Sequence, residues 1–250
     1  MIFKKKEEPK TASLTPEYWN DKWPKAPIIY SGRALKTKSD RINIDVKTFL
    51  TPHDEILQNI LTKYKLVKAD PDETMWEIQK WVVRFLRYVE DDKTAAIPEY
   101  WMFPFETIAG GMADCEDGAI LTAALAINAG IPSYRIKVAA GYVQEAPTAP
   151  QGGHAYCLYL ASDDAWRVCD WCYFEDSKIP MLKKPLAKDG GTNGAYKDVW
   201  FTFNNEFSWN QKALAVGGRV STTNEEKVVD TKTKLTNLMK SVDKQYKTKK

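Results

Sequence analysis

Chemistry in this chain would start at Cys115. It stands in the stretch GGMADCEDGAI, residues 110–120, flanked by Asp114, Glu116 and Asp117. A thiol attacks an amide as its thiolate, so it needs a base to take the proton, a group to orient that base, and donors for the oxyanion. The chain has only 2 histidines. His53 falls in the loop before a helix, where it suits a capping contact, whereas His154 opens a strand directly after QGG. Asp170 stands one hairpin further on, in VCDW. By the two-residue period of a strand it shares a face with Trp166, Val168 and Cys172, so this acid has apolar neighbours and its burial demands a partner. An imidazole on the adjacent strand is such a partner. Cys115, His154 and Asp170, on helix, strand and strand, form a nucleophile, base and orienting acid, a constellation defined by geometry and not by chain order. Singly, each has a plainer reading: an inert packed thiol, a structural histidine, an aspartate at a bend.

The acids beside the thiol oppose its ionisation. Carboxylates in the first turn of a helix complement its dipole and donors by about 0.3–1 kcal/mol each, so Glu116 and Asp117 read first as part of the cap. Helix amides and a His154 imidazolium would then favour the thiolate. The Cys115 backbone amide, at the helix start, is the natural first oxyanion donor; Trp101 carries an indole N–H upstream but reads as core. Cys169 and Cys172 form C-D-W-C in a strand-like run and read as packing, since no second pair completes a zinc or redox motif.

The elements that must hold these residues are legible from periodicity. Ile56, Leu57, Ile60, Leu61 and Tyr64 repeat at helical spacing behind Asp54, and Met75, Ile78, Trp81, Val82, Phe85 and Val89 do so behind Pro71. CEDGAILTAALAINA, residues 115–129, predicts a buried helix whose alanines and Gly118 allow close packing, stopped by Gly130 and Pro132. Strands are expected in YRIKVAAGYV, HAYCLYLA, WRVCDWCY and VWFTFNNEF. Helices first and antiparallel strands afterwards predict an α+β domain and not a doubly wound sheet. Residues 1–50 read as an extended arm docking through Trp19, Trp23 and Tyr30, residues 51–210 as the cysteine domain, and 211–250 as a tail. Residues 224–250 place Val228, Leu235 and Val242 at heptad spacing with Leu238 and Met239, which suits an amphipathic helix.

Composition excludes several classes. With 44% hydrophobic and 28% charged residues and a net charge of +3, the chain can build a core but offers no strong field. The aromatics fall in core-like segments and not along a basic groove, so nucleic acid is not an expected partner. MIFKKKEEPK lacks an apolar segment, and no run approaches the roughly 18 apolar residues of a membrane span, so no membrane is expected. The 4 cysteines do not make a disulfide framework, and a reducing, cytoplasmic setting is the expectation.

From RYVEDDKTAAIPEYWMFPFETIAGGMADCEDGAILTAALAINAGIP through GGHAYCLYL to WRVCDW, about residues 75–175, the sequence resembles the transglutaminase-like superfamily, and within it the bacterial transglutaminase-like cysteine proteinases. The resemblance implies a papain-like core, a cysteine helix packed on an antiparallel sheet, with Cys115 as nucleophile, His154 as general base and Asp170 as orienting acid. Ala113 departs from the glycine usual before D-C-E-D. The expected activity is that of a cysteine protease, amidase or acyltransferase acting on a protein or peptide substrate, at peptide or glutamine amides, through a thioacyl intermediate. Loops such as QEAPTAPQGG would decide between water and amine as acceptor. No cofactor is required by that chemistry, but acids flanking the cysteine bind calcium in some similar proteinases. Asp114 and Glu116 are the calcium ligands this implies, and oxygen-only ligands suit a hard cation. The alternative is a bacteriophage virion or assembly protein on the same fold, contacting partners through residues 1–50 and 224–250.

Overall fold

The computed structural model describes residues 15–33, 41–95, 99–173, 175–188 and 193–211, so residues 1–14 and the expected helix at 224–250 lie outside the described residues. Helix α1 (Pro16–Asp21) starts on a proline behind Thr15, whose hydroxyl accepts from the Tyr18 amide. Two-residue strands β1 (Ile29–Tyr30) and β2 (Ile44–Asp45) pair antiparallel. Asp54 caps α2 (Glu55–Lys63) by accepting from the amides of Ile56 and Leu57. Asp70 and Pro71 open α3 (Pro71–Phe85), which buries Met75, Ile78, Trp81 and Val82.

The periodicity overran the end of α3. Leu86 turns to extended backbone and Arg87–Tyr88 form β3. There follow α4 (Asp91–Thr94), α5 (Pro104–Gly110), β4 (Met112–Ala113) and α6 (Cys115–Asn128). Strands β3 and β4 pair in parallel, and the Val89 amide donates to Ala113 O at 2.9 Å. That short ladder fixes the chain on its way into Cys115. Ala113 is buried in extended backbone, a conformation open to any residue, so no glycine is needed there.

The second half forms β5 (Ile136–Val143), β6 (Gly152–Leu160), β7 (Trp166–Cys169), β8 (Leu186–Ala187), β9 (Tyr196–Phe203) and β10 (Ser208–Asn210). They make one six-stranded sheet in the order β10-β9-β5-β6-β7-β8, antiparallel throughout, so the fold is α+β. Helix α6 is apolar on nearly every side because it lies between β5 and β6 on one side and α2, α3 and α5 on the other. On the far face of the sheet a smaller cluster gathers Trp19, Tyr156, Leu158, Trp166, Val168 and Tyr196. Residues 15–33 reach both faces: Trp19 packs edge-on against Trp166, and Tyr30 stacks on Trp101 in the main core.

WRVCDWCY is a strand only as far as Cys169. Asp170 ends it by folding its own carboxylate back, Oδ1 accepting from the Cys172 amide at 3.1 Å. Such side-chain turns compete with the ladder, and a period-two pattern does not reveal them.

Candidate active site

Helix α6 begins on Cys115 itself, so that residue's amide is among the first-turn donors with no partner inside the helix. Gly118 lets the turn after β7 approach the helix. A Cβ at Gly118 would come within 2.1 Å of the Trp171 indole nitrogen, and that indole donates to Cys115 O at 3.3 Å. The expected need for a small residue is met, but by one indole and not by the sheet as a whole. On the strand side, the backbone amide of Ala155, the residue after His154, faces the Cys115 sulfur. Helix start, β6 and the turn after β7 therefore meet at one place.

His154 and Asp170 are both buried and joined by a 2.6 Å hydrogen bond from Nε2 to Oδ2. Burial works to raise the Asp170 carboxyl, but bonds from His154, Tyr196 and the Cys172 amide outweigh it and hold the group below its ordinary value. Asp170 is thus an anion and an acceptor, which places the imidazole proton on Nε2 and leaves Nδ1 as the basic nitrogen. Backing comes from α3, where Gln79 Nε2 donates to Asp170 O at 2.7 Å.

The thiol is in a different condition. Half-buried Cys115 donates to Glu116 Oε2 at 3.3 Å. Burial, then the charges of Glu116 and Asp114, push it well above the ordinary thiol range, while the Ala155 amide pulls it down. Here the structure corrects the capping expectation. Asp114 occupies the cap position without making a side-chain cap bond, and Asp117 accepts from the Met102 amide at 2.6 Å instead of serving its own helix. The acids turn toward one another, toward Asp91 and toward Met102. Asp114 Oδ1, Glu116 Oε1 and Asp117 Oδ2 are buried with no hydrogen-bond partner. Burial raises all three; Asp114 is pushed up to about 7, and Glu116 and Asp117 well above their ordinary values.

Three carboxylates converge here: ligand oxygens of Asp91, Asp114 and Asp117 lie within 4.8 Å of one another. Of the two ligands the sequence suggested, Asp114 belongs to this group, whereas Glu116 is turned to the sulfur. The group fits a hard cation, because partnerless buried carboxylate oxygens are what such an ion satisfies. Asp91 comes from α4 and gave no sequence signal in its charged EDDK stretch; it reaches the group through the β3–β4 pairing. Trp101 is packing: its indole donates to Glu99 Oε1 at 2.7 Å and its ring stacks between Tyr30 and Phe203. His53 is exposed in the turn before α2. Cys169 is buried and Cys172 half-buried, and the two form no disulfide.

No curated protein matches the chain. Among solved structures it is similar to LapG of Legionella pneumophila, at 21% identity, covering 66% of this chain and 86% of that one with a TM-score of 0.43. It is also similar to calcium-bound LapG of the same organism, at 20% identity over 73% of this chain and 98% of that one, with a TM-score of 0.39. No helix among the described residues is long and apolar enough to cross a membrane. Residues 56–171, from α2 to the turn that carries Asp170, match the family of transglutaminase-like domains, and this stretch contains Cys115, His154 and Asp170.

Proposed function

We propose that this protein is a thiol enzyme that opens peptide or glutamine amides through a thioacyl intermediate on Cys115. The observation that carries the reading is the buried 2.6 Å His154–Asp170 pair on the strand whose next amide faces the Cys115 sulfur. His154 Nδ1 takes the thiol proton and the sulfur attacks the amide carbon, with the oxyanion meeting the Cys115 amide at the helix start. His154 then passes the proton to the departing nitrogen, leaving a thioester. Water or an amine attacks that thioester with His154 again as base, and the thiol is regenerated. Asp170 keeps the imidazole oriented and stabilises its charged form throughout.

The acids around the thiol explain a further requirement. Burial, and then the Glu116 and Asp114 carboxyl groups beside the sulfur, hold the proton on it, so neutralising those groups would remove part of what keeps the thiol at rest. Asp91, Asp114 and Asp117 would hold a calcium ion, whose charge would offset those carboxylates and bring the thiol down toward the working range. Freed from that repulsion, the thiol proton passes to His154 and not to Glu116.

The test is acylation of Cys115 by an activated ester, located by peptide mass spectrometry. Acylation that is accelerated by calcium and lost in H154A supports the enzyme. Acylation no faster than that of a free thiol, and indifferent to both, would leave the fold as a scaffold, which is the assembly reading.

A further inference from the structure

Tyr196 has no part in the scheme above, yet it touches the pair at its centre. We propose that Tyr196 is a positioning residue whose hydroxyl holds Asp170, and through it His154, in the ionic and tautomeric state that the thiol needs. The proposal rests on the reading of Cys115, His154 and Asp170 as one site. Tyr196 opens β9, which is separated from β7 by β5 and β6 in the sheet, so its phenol reaches past two strands to the turn at the end of β7. Its hydroxyl donates to Asp170 Oδ2 at 2.6 Å, the same oxygen that receives His154 Nε2 at 2.6 Å. Oδ1 is held separately by the amides of Cys172 and Tyr173, at 3.1 and 3.5 Å.

The division of donors has a consequence. Asp170 is 1% exposed, so protein donors take the place of water around it. With His154 as the sole donor on Oδ2, that oxygen would carry more charge and hold the imidazolium more tightly. A second donor on the same oxygen shares that charge, which holds Asp170 as the anion that accepts from Nε2 and tempers its hold on the imidazolium. The position of the hydroxyl is itself set by packing, since the Tyr196 ring lies 4.5 Å from that of Tyr156. Phenylalanine retains this packing and removes only the donor.

The other titratable groups facing Asp170 do not compete in the neutral range. From β6, burial pushes the Tyr156 phenol up and the Cys157 thiol well up. From β7 and its turn, burial drives Cys169 to about 12 and Cys172 upward, and the Tyr173 ring lies tilted against His154. Asp176, bound to Lys184, faces Tyr196 from the far side.

The experiment follows the ring nitrogens of ¹⁵N-labelled His154 by NMR across pH, in the unaltered protein and in Tyr196→Phe. The unaltered protein shows the Nε2–H tautomer and an exchange-protected Tyr196 hydroxyl proton. In Y196F the carboxylate loses a donor and faces the imidazolium with more charge, so the His154 midpoint rises by about one unit. The acid limb of Cys115 acylation moves with it, while the fold is unchanged by circular dichroism. An unchanged midpoint in folded Y196F overturns the proposal. So does a freely exchanging Tyr196 hydroxyl in the unaltered protein, which decides the matter even when the variant does not fold. The readout is independent of Cys115: a shifted His154 with an inert thiol removes the enzyme reading alone, and a reactive thiol with an unmoved His154 removes this inference alone.

Discussion

Asp170 and Asp114 are carboxylates of one site in opposite electrostatic states. Asp170 receives His154, Tyr196 and two backbone amides, and its carboxyl lies below the ordinary range despite burial. Asp114 sits among Asp91, Glu116 and Asp117 with a partnerless buried oxygen, and burial, then the charges of Asp91 and Glu99, lift it to about 7 against hydrogen bonds from Glu116 and the Asp117 amide. Burial acts in the same direction on both, so it is the supply of donors that separates them. One region is complete as it stands. The other is built for a charge that the chain does not provide, and the thiol lies between them.

The sharpest way to break this comparison is through the thiol. Replacing Cys115 with Ala should abolish acylation of the protein by an activated ester; acylation that persists elsewhere at the same rate would place the nucleophile at another residue. Next in size is the complete region. Asp170→Asn removes the anion while keeping the shape, and acylation should fall by about 10³–10⁴-fold, as expected when the base is left in the wrong tautomer. A fall of less than tenfold in a folded D170N protein would show that the orienting acid is dispensable.

The incomplete region predicts a response to metal. Calcium at a hundredfold excess over its Kd should add about 2.7 kcal/mol of stability, seen as a rise in Tm of about 5–10 °C. Asp117→Asn, which keeps the donor to Glu116 and the thiol untouched, should remove most of that rise. Equal rises in D117N and the unaltered protein would move the ion elsewhere.

The smallest effect is the pH dependence of stability, and here the two carboxylates have opposite signs. Asp170 is lower in the folded chain than in the unfolded one. Its contribution is present above the ordinary carboxylate range and is lost as pH falls through its lower folded value. Asp114 is higher when folded, so its contribution is full below about 4 and is lost as pH rises through about 7. Metal-free protein should therefore lose Tm between about pH 4 and about pH 7, the span from the unfolded to the folded value, and Asp114→Asn should flatten that slope. A slope identical in both proteins would contradict the assignment to the acidic region.

Much of this contrast was legible in the sequence on one side only. Cys115, His154 and Asp170 stood out because a rare histidine, a thiol at a helix start and an acid in an apolar run each break their local pattern. The caps at Asp54 and Asp70 follow from side-chain chemistry within three residues. Asp91 and Tyr196 carry no such mark. Asp91 arrives at the thiol through a parallel pairing of residues 87–88 with 112–113, and Tyr196 through a strand two places away in the sheet. Both depend on tertiary placement that local periodicity does not encode. The acids after Asp114 look like ordinary first-turn residues, yet Asp117 is bonded to the Met102 amide and Glu116 to the Cys115 thiol. Residue type at short range thus picked out the proposed reacting groups, and chain crossing at long range brings in the groups around them.

The central claim is that the His154–Asp170 pair activates the Cys115 sulfur once its acidic neighbours are neutralised. Its most direct test is the rate of Cys115 alkylation by iodoacetamide at neutral pH, with and without calcium, in the unaltered protein and in His154→Ala. The account predicts a rate above that of a model thiol in the presence of calcium, slowed by chelation and lost in H154A. A rate no faster than the model thiol under both conditions, and unchanged in H154A, would contradict it.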